Sequence, residues 1–280
     1  MAPTVQMIAI DMDGTLLNSQ GYISQGTLQA IREAQAKGIT VAICTGRFPE
    51  NVSLMFEDVG LSCPVISLNG AIIEMDNKRV HAEQMNGDTV QEICLALESA
   101  QASYYMFGDH MITTRRMGKP HHAEVKYAAR LLKERGVTFE VGEEAVRSAA
   151  RKALYKFYVY EDLASCGLQK AFEAVQHVKG VHFTRSSDNN FEIMPQGIDK
   201  EHGIQTLAAM LDIPLRHVMA IGDHENDETM IKAAGFGVAM GNAVPRVKEA
   251  ADAVTGTNDE EGVAQAIRKY ALHQTPASNA

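Results

Sequence analysis

Two short apolar runs, Val5–Ile10 and Val218–Ile221, break off into acidic residues, and they stand near opposite ends of the chain. Runs of this length and composition are the mark of strands buried on both faces of a parallel sheet. Parallel strands need crossover connections, and the flanking sequence supplies them. Ser24 opens a helical pattern through Leu28, Ile31 and Ala34 that Gly38 stops. Ile39–Ile43 is a second β-branched run, followed by Thr45-Gly46-Arg47 and a helix from Pro49 to Val59. Pro64–Leu68 is a third strand, and the Asn69-Gly70 turn leads into Ala71–Met75 as a hairpin. After Pro195 the alternation resumes: helix Lys200–Leu211, strand Val218–Ile221, helix Asn226–Ala234, strand Phe236–Ala239 and a last helix over Gly262–Ala271. The fold class expected is α/β, with a Rossmann-like parallel-sheet core assembled from both chain ends.

The middle of the chain has a different rhythm. It offers a helix (Asp88–Gln101), then a hairpin from Tyr104–Phe107 to Met111–Thr114 across Gly108-Asp109. A basic helical stretch (His121–Arg135), a strand (Leu154–Tyr160), a helix (Leu163–Val178) and the paired strands Val181–Arg185 and Phe191–Met194 complete it. Helices between antiparallel pairs describe a separate α+β module. The expected division is a core of 1–82 and 191–280 with an inserted domain of 83–190. The tail HQTPASNA reads as disordered.

Composition narrows the function. The chain has 280 residues, 45% hydrophobic and 22% charged, enough to bury a core. Twenty-six basic against 35 acidic side chains leave a net charge of −9, which argues against nucleic acid or an anionic membrane as partner. No apolar run approaches a bilayer span, and the start MAPTVQMIAIDMDG lacks the features of a signal peptide. Cys44, Cys63, Cys94 and Cys166 are widely separated, so neither a disulfide framework nor a zinc site is expected, and a reducing cytoplasm fits. The expected partner is a small molecule, for a cytoplasmic protein that is a monomer or homodimer.

The acids carry the chemistry. Asp11-Met12-Asp13-Gly14-Thr15 follows the first strand, on the sheet edge where open α/β folds bind ligands. Residues two apart in extended backbone point the same way, so Asp11 and Asp13 are expected to face one site. Gly222-Asp223-His224-Glu225-Asn226-Asp227 follows strand Val218–Ile221, and its two aspartates, four apart at a helix start, share a face. Carboxylates gathered this densely repel one another unless a hard cation neutralises them, and oxygen ligands of this kind suit Mg²⁺. A calcium loop at Asp11 fails on spacing, because Thr15, Leu16 and Tyr22 stand where its fifth, sixth and twelfth positions need an acid or Asn, a Gly and a Glu. Thr45-Gly46 offers a hydroxyl and free N–H groups at a helix entry, and Lys200 opens a helix where it can place an ammonium on a phosphoryl oxygen.

Taken in order, DMDGTLLN (Asp11–Asn18), CTGR (Cys44–Arg47), the Lys200 region and GDHENDETM (Gly222–Met230) resemble the four motifs of the haloacid dehalogenase superfamily. SLNGA (Ser67–Ala71) and GVAMGNA (Gly237–Ala243) are similar to its Cof-type phosphatase branch, which carries a large inserted cap. Glu201 departs from that pattern, where a Gly often follows the Lys, and His224 occupies a variable position. The resemblance implies a Mg²⁺-dependent phosphatase acting on phosphate monoesters, sugar phosphates foremost. Asp11 would be the nucleophile, passing through an aspartyl-phosphate, and Asp13 the general acid and base. Asp11, Asp13 through its main-chain carbonyl, Asp223 and, through water or as a support, Asp227 would hold the metal. Thr45, Gly46, Lys200 and Asn226 would hold the phosphate. Contacts to the leaving group are expected from Arg47, Asn69, Arg185, Asn189 and Asn190. The stretch Arg115, Arg116, Lys119, His121 and His122 reads as a solvated helix entry, with attraction of an anion as its alternative. Two other readings compete: a phosphomutase using the same aspartyl-phosphate, and a non-catalytic binding or regulatory protein on the same fold. The second would be expected to have lost Asp11, Asp13, Lys200 or Asp223, and all four are present.

Overall fold

The structure is a computed structural model and describes residues 4–116, 130, 131, 133–152, 154–161 and 167–273. Lys119, His121, His122 and Cys166, most of the expected His121–Arg135 helix, the start of the expected Leu163–Val178 helix and the tail after His273 lie outside the described residues. The chain forms two compact units: one of 1–46, 61–81 and 199–280, the other of 47–60 and 82–198.

The elements run in order β1 (Met7–Ile10), α1 (Gln25–Ala36), β2 (Thr40–Cys44), α2 (Pro49–Val59), β3 (Val65–Ser67), β4 (Ile72–Met75) and β5 (Lys78–Ala82). There follow α3 (Gly87–Ala100), β6 (Ser103–Gly108), β7 (Met111–Thr114), β8 (Thr138–Val141), α4 (Glu143–Ala149), β9 (Leu154–Tyr160), α5 (Leu168–Val175), β10 (Val181–Thr184) and β11 (Asn190–Pro195). The chain closes with α6 (Lys200–Met210), β12 (Val218–Gly222), α7 (Glu228–Ala233), β13 (Phe236–Ala239), α8 (Pro245–Ala250), β14 (Ala253–Val254) and α9 (Gly262–Ala266).

In the first unit one sheet has the order β14-β13-β12-β1-β2-β3-β4-β5, parallel from β14 to β3 and turning antiparallel at β4. Every residue of β1 and β12 is buried, which is why these runs show no polar alternation. The strand next in sequence to β1 lies on one side of it and the strand from the far end of the chain on the other. Strand order therefore reverses at β1, the position where open α/β sheets bind ligands. Register aligns the three edges, since Ile10 pairs with Ile43 of β2 and with Ile221 of β12. Asp11, the Cys44-Thr45 step and Gly222-Asp223 thus leave the sheet at one level. Local signals set the helices: Ser24 caps α1 by accepting from the Thr27 N–H at 3.1 Å, and Gly60, at φ +61°, ends α2 in left-handed backbone.

In the second unit a six-stranded sheet of order β10-β11-β9-β6-β7-β8 is antiparallel except at its last pair. Tyr104, Met106, Phe157, Val159, Phe191 and Ile193 lie on one face and pack into a core with residues of α3, α4 and α5. Two segments group with this unit rather than with the core to which the sequence reading gives them. Strand β11 pairs along β9 and β10, so 191–198 follows it. Helix α2 is tied there by Phe48 against Phe107, by Glu50 in contact with His110 Nδ1 at 2.6 Å, by Arg130 on both oxygens of Asp58, and by Arg135 on Glu57. None of these partners is near in sequence, and α2 carries no local sign of where it docks. Strands β5, β8 and β14 and helices α4 and α8 are elements the sequence reading does not include. Among the described residues no helix is long and apolar enough to cross a membrane.

Candidate active site

Past β1 the chain curls back on itself. Leu16 N–H donates to the Asp11 carbonyl at 3.1 Å and Leu17 N–H to the Met12 carbonyl at 2.9 Å. Asp11 is buried, 5% exposed, whereas Asp13 is exposed. Gly14 makes the turn at φ +81°, and a Cβ there would stand 2.4 Å from Asp223 Oδ2. Only glycine lets this loop approach the second acidic segment so closely. Thr15 donates to Asp223 Oδ1 at 2.7 Å, and Asn242 donates its amide to the Gly14 carbonyl at 2.8 Å. Thr15 and Asn242 are supports to which the sequence reading assigns no role, although both lie in quoted motifs.

Lys200 is the first residue of α6 and is completely buried. Its Nζ stands 2.5 Å from Asp11 Oδ1 and 2.5 Å from Asp227 Oδ1. The helix start is fixed by Asp199, which accepts from the His202 N–H, and by an unusually close backbone approach. A Cβ on Gly70, at φ +101°, would meet the Asp199 carbonyl at 2.1 Å, and one on Gly203 would meet Ile66 Cγ2 at 2.4 Å. The preceding Leu68 and Asn69 also have positive φ, +47° and +53°, so three successive residues hold sparsely populated backbone. Strain of this kind persists only when the surroundings enforce it, and here it seats α6 against the sheet. The Asn69 N–H donates to the Thr45 carbonyl at 2.9 Å, and the Asn226 amide reaches Asn69 Oδ1 at 3.4 Å. Asn69, Thr45 and Asn226 are thereby brought together in the first unit.

Asp227 is fully buried, and both its oxygens are engaged: Oδ1 with Lys200, Oδ2 with the N–H groups of Asp223 (2.8 Å) and His224 (3.0 Å). It braces the loop and the lysine together. A Cβ on Gly222 would stand 2.5 Å from the Cβ and Cγ of Asp227. Gly222→Ala is therefore expected to push Asp227 off this seat and cost about 1–3 kcal/mol, as overpacking of a filled site does. The urea midpoint reads it; an unchanged midpoint would show that Asp227 can move freely.

Asp11, Asp223 and Asp227 each bring a carboxylate oxygen within 4.8 Å of the others. Burial, then the charge of Asp227, push Asp11 well above the ordinary carboxylate value, against the pull of Lys200. The same two causes push Asp223 up to about 6. Burial alone would lower the Lys200 pKa, but Asp11 and Asp227 outweigh it and keep it cationic. Three carboxylates against one ammonium leave 3 − 1 = 2 surplus negative charges when all are ionised. An all-oxygen set short of two positive charges fits a hard dication such as Mg²⁺. Cys44, though adjacent, is buried with its thiol pKa pushed up, so it stays neutral and inert.

The remaining expected contacts, Arg47, Arg185, Asn189 and Asn190, belong to the second unit. Asn190 is fully buried, and its amide is used inside its own turn and sheet, on Ser186, Ser187 (2.6 Å) and the Tyr158 hydroxyl (3.1 Å). It closes the Ser186–Asn190 turn. Arg185 and Asn189 are exposed.

Residues 8–267 match the family model of the haloacid dehalogenase-like hydrolases. Phosphatase YwpJ of Bacillus subtilis is 32% identical over 94% of this chain and 99% of its own length. The 5-amino-6-(5-phospho-D-ribitylamino)uracil phosphatase YcsE of the same organism is 33% identical over 96% of each chain. A haloacid dehalogenase-like hydrolase from B. subtilis superposes with a TM-score of 0.82 at 32% identity, covering 94% of this chain and 99% of that one. The subclass IIB sugar phosphatase BT4131 shares the fold, with a TM-score of 0.80 at 24% identity over 96% of this chain and all of its own. With its acids, lysine and glycines on the edges where the family's motifs fall, the chain belongs to the haloacid dehalogenase-like hydrolases, as an enzyme of their phosphatase branch.

Proposed function

We propose that this phosphatase hydrolyses small phosphate monoesters with Mg²⁺ through an aspartyl-phosphate on Asp11. The observation that carries the reading is the buried Lys200 bridging Asp11 and Asp227 beside Asp223. An ammonium held there fixes the orientation of Asp11 and offers positive charge to a phosphoryl group. An Asp11 carboxylate oxygen attacks phosphorus as the ester P–O bond breaks, and Asp13 delivers its proton to the departing alkoxide. Asp13 then takes a proton from the water that attacks the acyl phosphate, releasing inorganic phosphate and restoring the Asp11 carboxylate. The exposure of Asp13 suits a group that must exchange protons with water. Thr45, the Gly46 N–H and Asn226 complete the phosphate cradle. Asp11, Asp223 and the Asp13 main-chain carbonyl would hold Mg²⁺, with Asp227 bracing them, and the ion supplies neutralisation of the surplus charge as the phosphoryl group transfers.

For the leaving group we propose a polyhydroxylated carbon chain, a sugar or sugar-alcohol phosphate. Relatives about one-third identical over the whole chain include phosphatases named for a ribityl phosphate. Phosphate release from an aryl phosphate, glucose 6-phosphate, ribitol 5-phosphate and flavin mononucleotide, with Mg²⁺ and with chelator, tests the reading. Metal-dependent release fastest on the polyol phosphates is expected; an isomerised sugar phosphate without free phosphate would instead identify a mutase.

The raised acids give the metal a pH signature. Asp223 binds its proton more tightly folded (about 6) than at the ordinary 3.8, so its contribution to stability is full below about 4 and is lost as pH rises through 6. Mg²⁺ must displace such protons. In chelator the melting temperature should fall between pH 5 and 7, and Mg²⁺ should raise it more at pH 7.5 than at pH 5. Equal Mg²⁺ shifts at both values would remove these carboxylates from the metal site.

A further inference from the structure

Within the second unit, α3 and α4 frame a cavity of about 400 Å³ that shares no residue with the acidic cluster. Its floor is apolar. Cys94, Val146 and Ala150 belong to that unit's hydrophobic core, and burial holds the Cys94 thiol up to about 12, so it is a neutral surface. Leu95, also lining it, is 74% exposed, far more than a leucine inside a packed helix pair. Three guanidinium groups line the same space. Arg115 pairs with Glu98 and reaches Glu143 at 3.7 Å, and Arg147 pairs with Glu143. Glu98 is further held by the Tyr104 hydroxyl at 2.7 Å. Arg151 is exposed and has no carboxylate partner among the described residues. Among the described residues the lining thus carries 3 − 2 = 1 net positive charge, in a chain whose total is −9.

A concave space in the size range of small-ligand sites, apolar within and with a few charged groups converging on it, has the make-up of a binding pocket. Its surplus charge selects the sign of the occupant. We infer that this cavity binds a small organic anion with an apolar body. The carboxylate, sulfonate or phosphate lies on Arg151, and the body covers Leu95, Val146 and Ala150. Inorganic phosphate gains the charge contact but buries no apolar area; a neutral arene buries area but gains no charge contact. Both features are needed, and only an amphipathic anion has both. The inference does not rest on the phosphatase reading.

The test uses the full chain and the fluorescent anion 8-anilinonaphthalene-1-sulfonate, with the neutral N-phenyl-1-naphthylamine as its uncharged counterpart. Saturable, one-to-one binding of the sulfonate is expected, with the neutral amine at least tenfold weaker. Arg151→Glu and Leu95→Glu change exposed side chains, so the melting temperature and ester turnover should stay as they are. Each should weaken the sulfonate about tenfold, equivalent to about 1.4 kcal/mol. Inorganic phosphate with Mg²⁺ should not displace it. Absence of saturable binding, equal binding of the neutral amine, unchanged affinity in both variants, or displacement by phosphate with Mg²⁺ would each overturn the assignment.

Discussion

Asp11→Asn should abolish phosphate release, lowering turnover by about 10⁴-fold or more, because a neutral amide cannot form the acyl phosphate. The fold should be kept and even strengthened. In the metal-free protein the Asp11 carboxylate is buried beside Asp227 and Asp223, and burial and their charges all act against its ionisation. An amide of the same shape ends that repulsion and can still accept from Lys200 through its oxygen. In chelator the variant should melt at or above the temperature of the parent chain, a case of function held at the expense of stability. Phosphate release within tenfold of the parent would sink Asp11 as nucleophile, whatever the melting temperature.

Lys200→Met should act in the opposite sense on stability. It removes a completely buried ammonium and leaves Asp11 and Asp227 facing each other without it. Removing one partner of a buried ion pair costs about 3–5 kcal/mol, since the remaining charge loses its compensation. Turnover should fall with it, as both the orientation of Asp11 and the charge facing the phosphoryl group go. A chain that fails to fold would be uninformative alone, so the double variant Lys200→Met, Asp227→Asn belongs in the same experiment. It deletes one of the two stranded carboxylates and should recover much of the stability while turnover stays low. Denaturant midpoints and phosphate release read the two effects separately. A double variant no more stable than Lys200→Met would mean that the lysine stabilises by packing rather than by charge.

The two variants show why the site was partly legible in the sequence. Asp11, Asp13, Asp223 and Lys200 are each marked by a local signal, an apolar run that stops or a helix that starts. The common destination of Asp11, Asp223 and Lys200 follows once the runs are taken as neighbouring parallel strands. The positions expected to contact a leaving group had weaker support, because a run of Ser, Asp and Asn such as Arg185 to Asn190 is more often only a turn. Asn190 proves to be the lock of that turn, its amide consumed by Ser186, Ser187 and Tyr158.

Local sequence thus specified most of the elements and the chemical groups at their ends. Strand burial writes itself into β1 and β12 as unbroken apolar composition, and helix ends write themselves as Ser24 and Gly38. These depend on residues a few positions apart. The position of Lys200 between Asp11 and Asp227 came from packing, since it requires α6 to dock through the glycine contact of Gly70 and Gly203. Packing likewise fixed which N–H groups Asp227 braces, joined α2 to the second unit, and opened a cavity between α3 and α4. Each of these rests on register and packing between segments remote in sequence, and no local periodicity records which face a remote segment will cover.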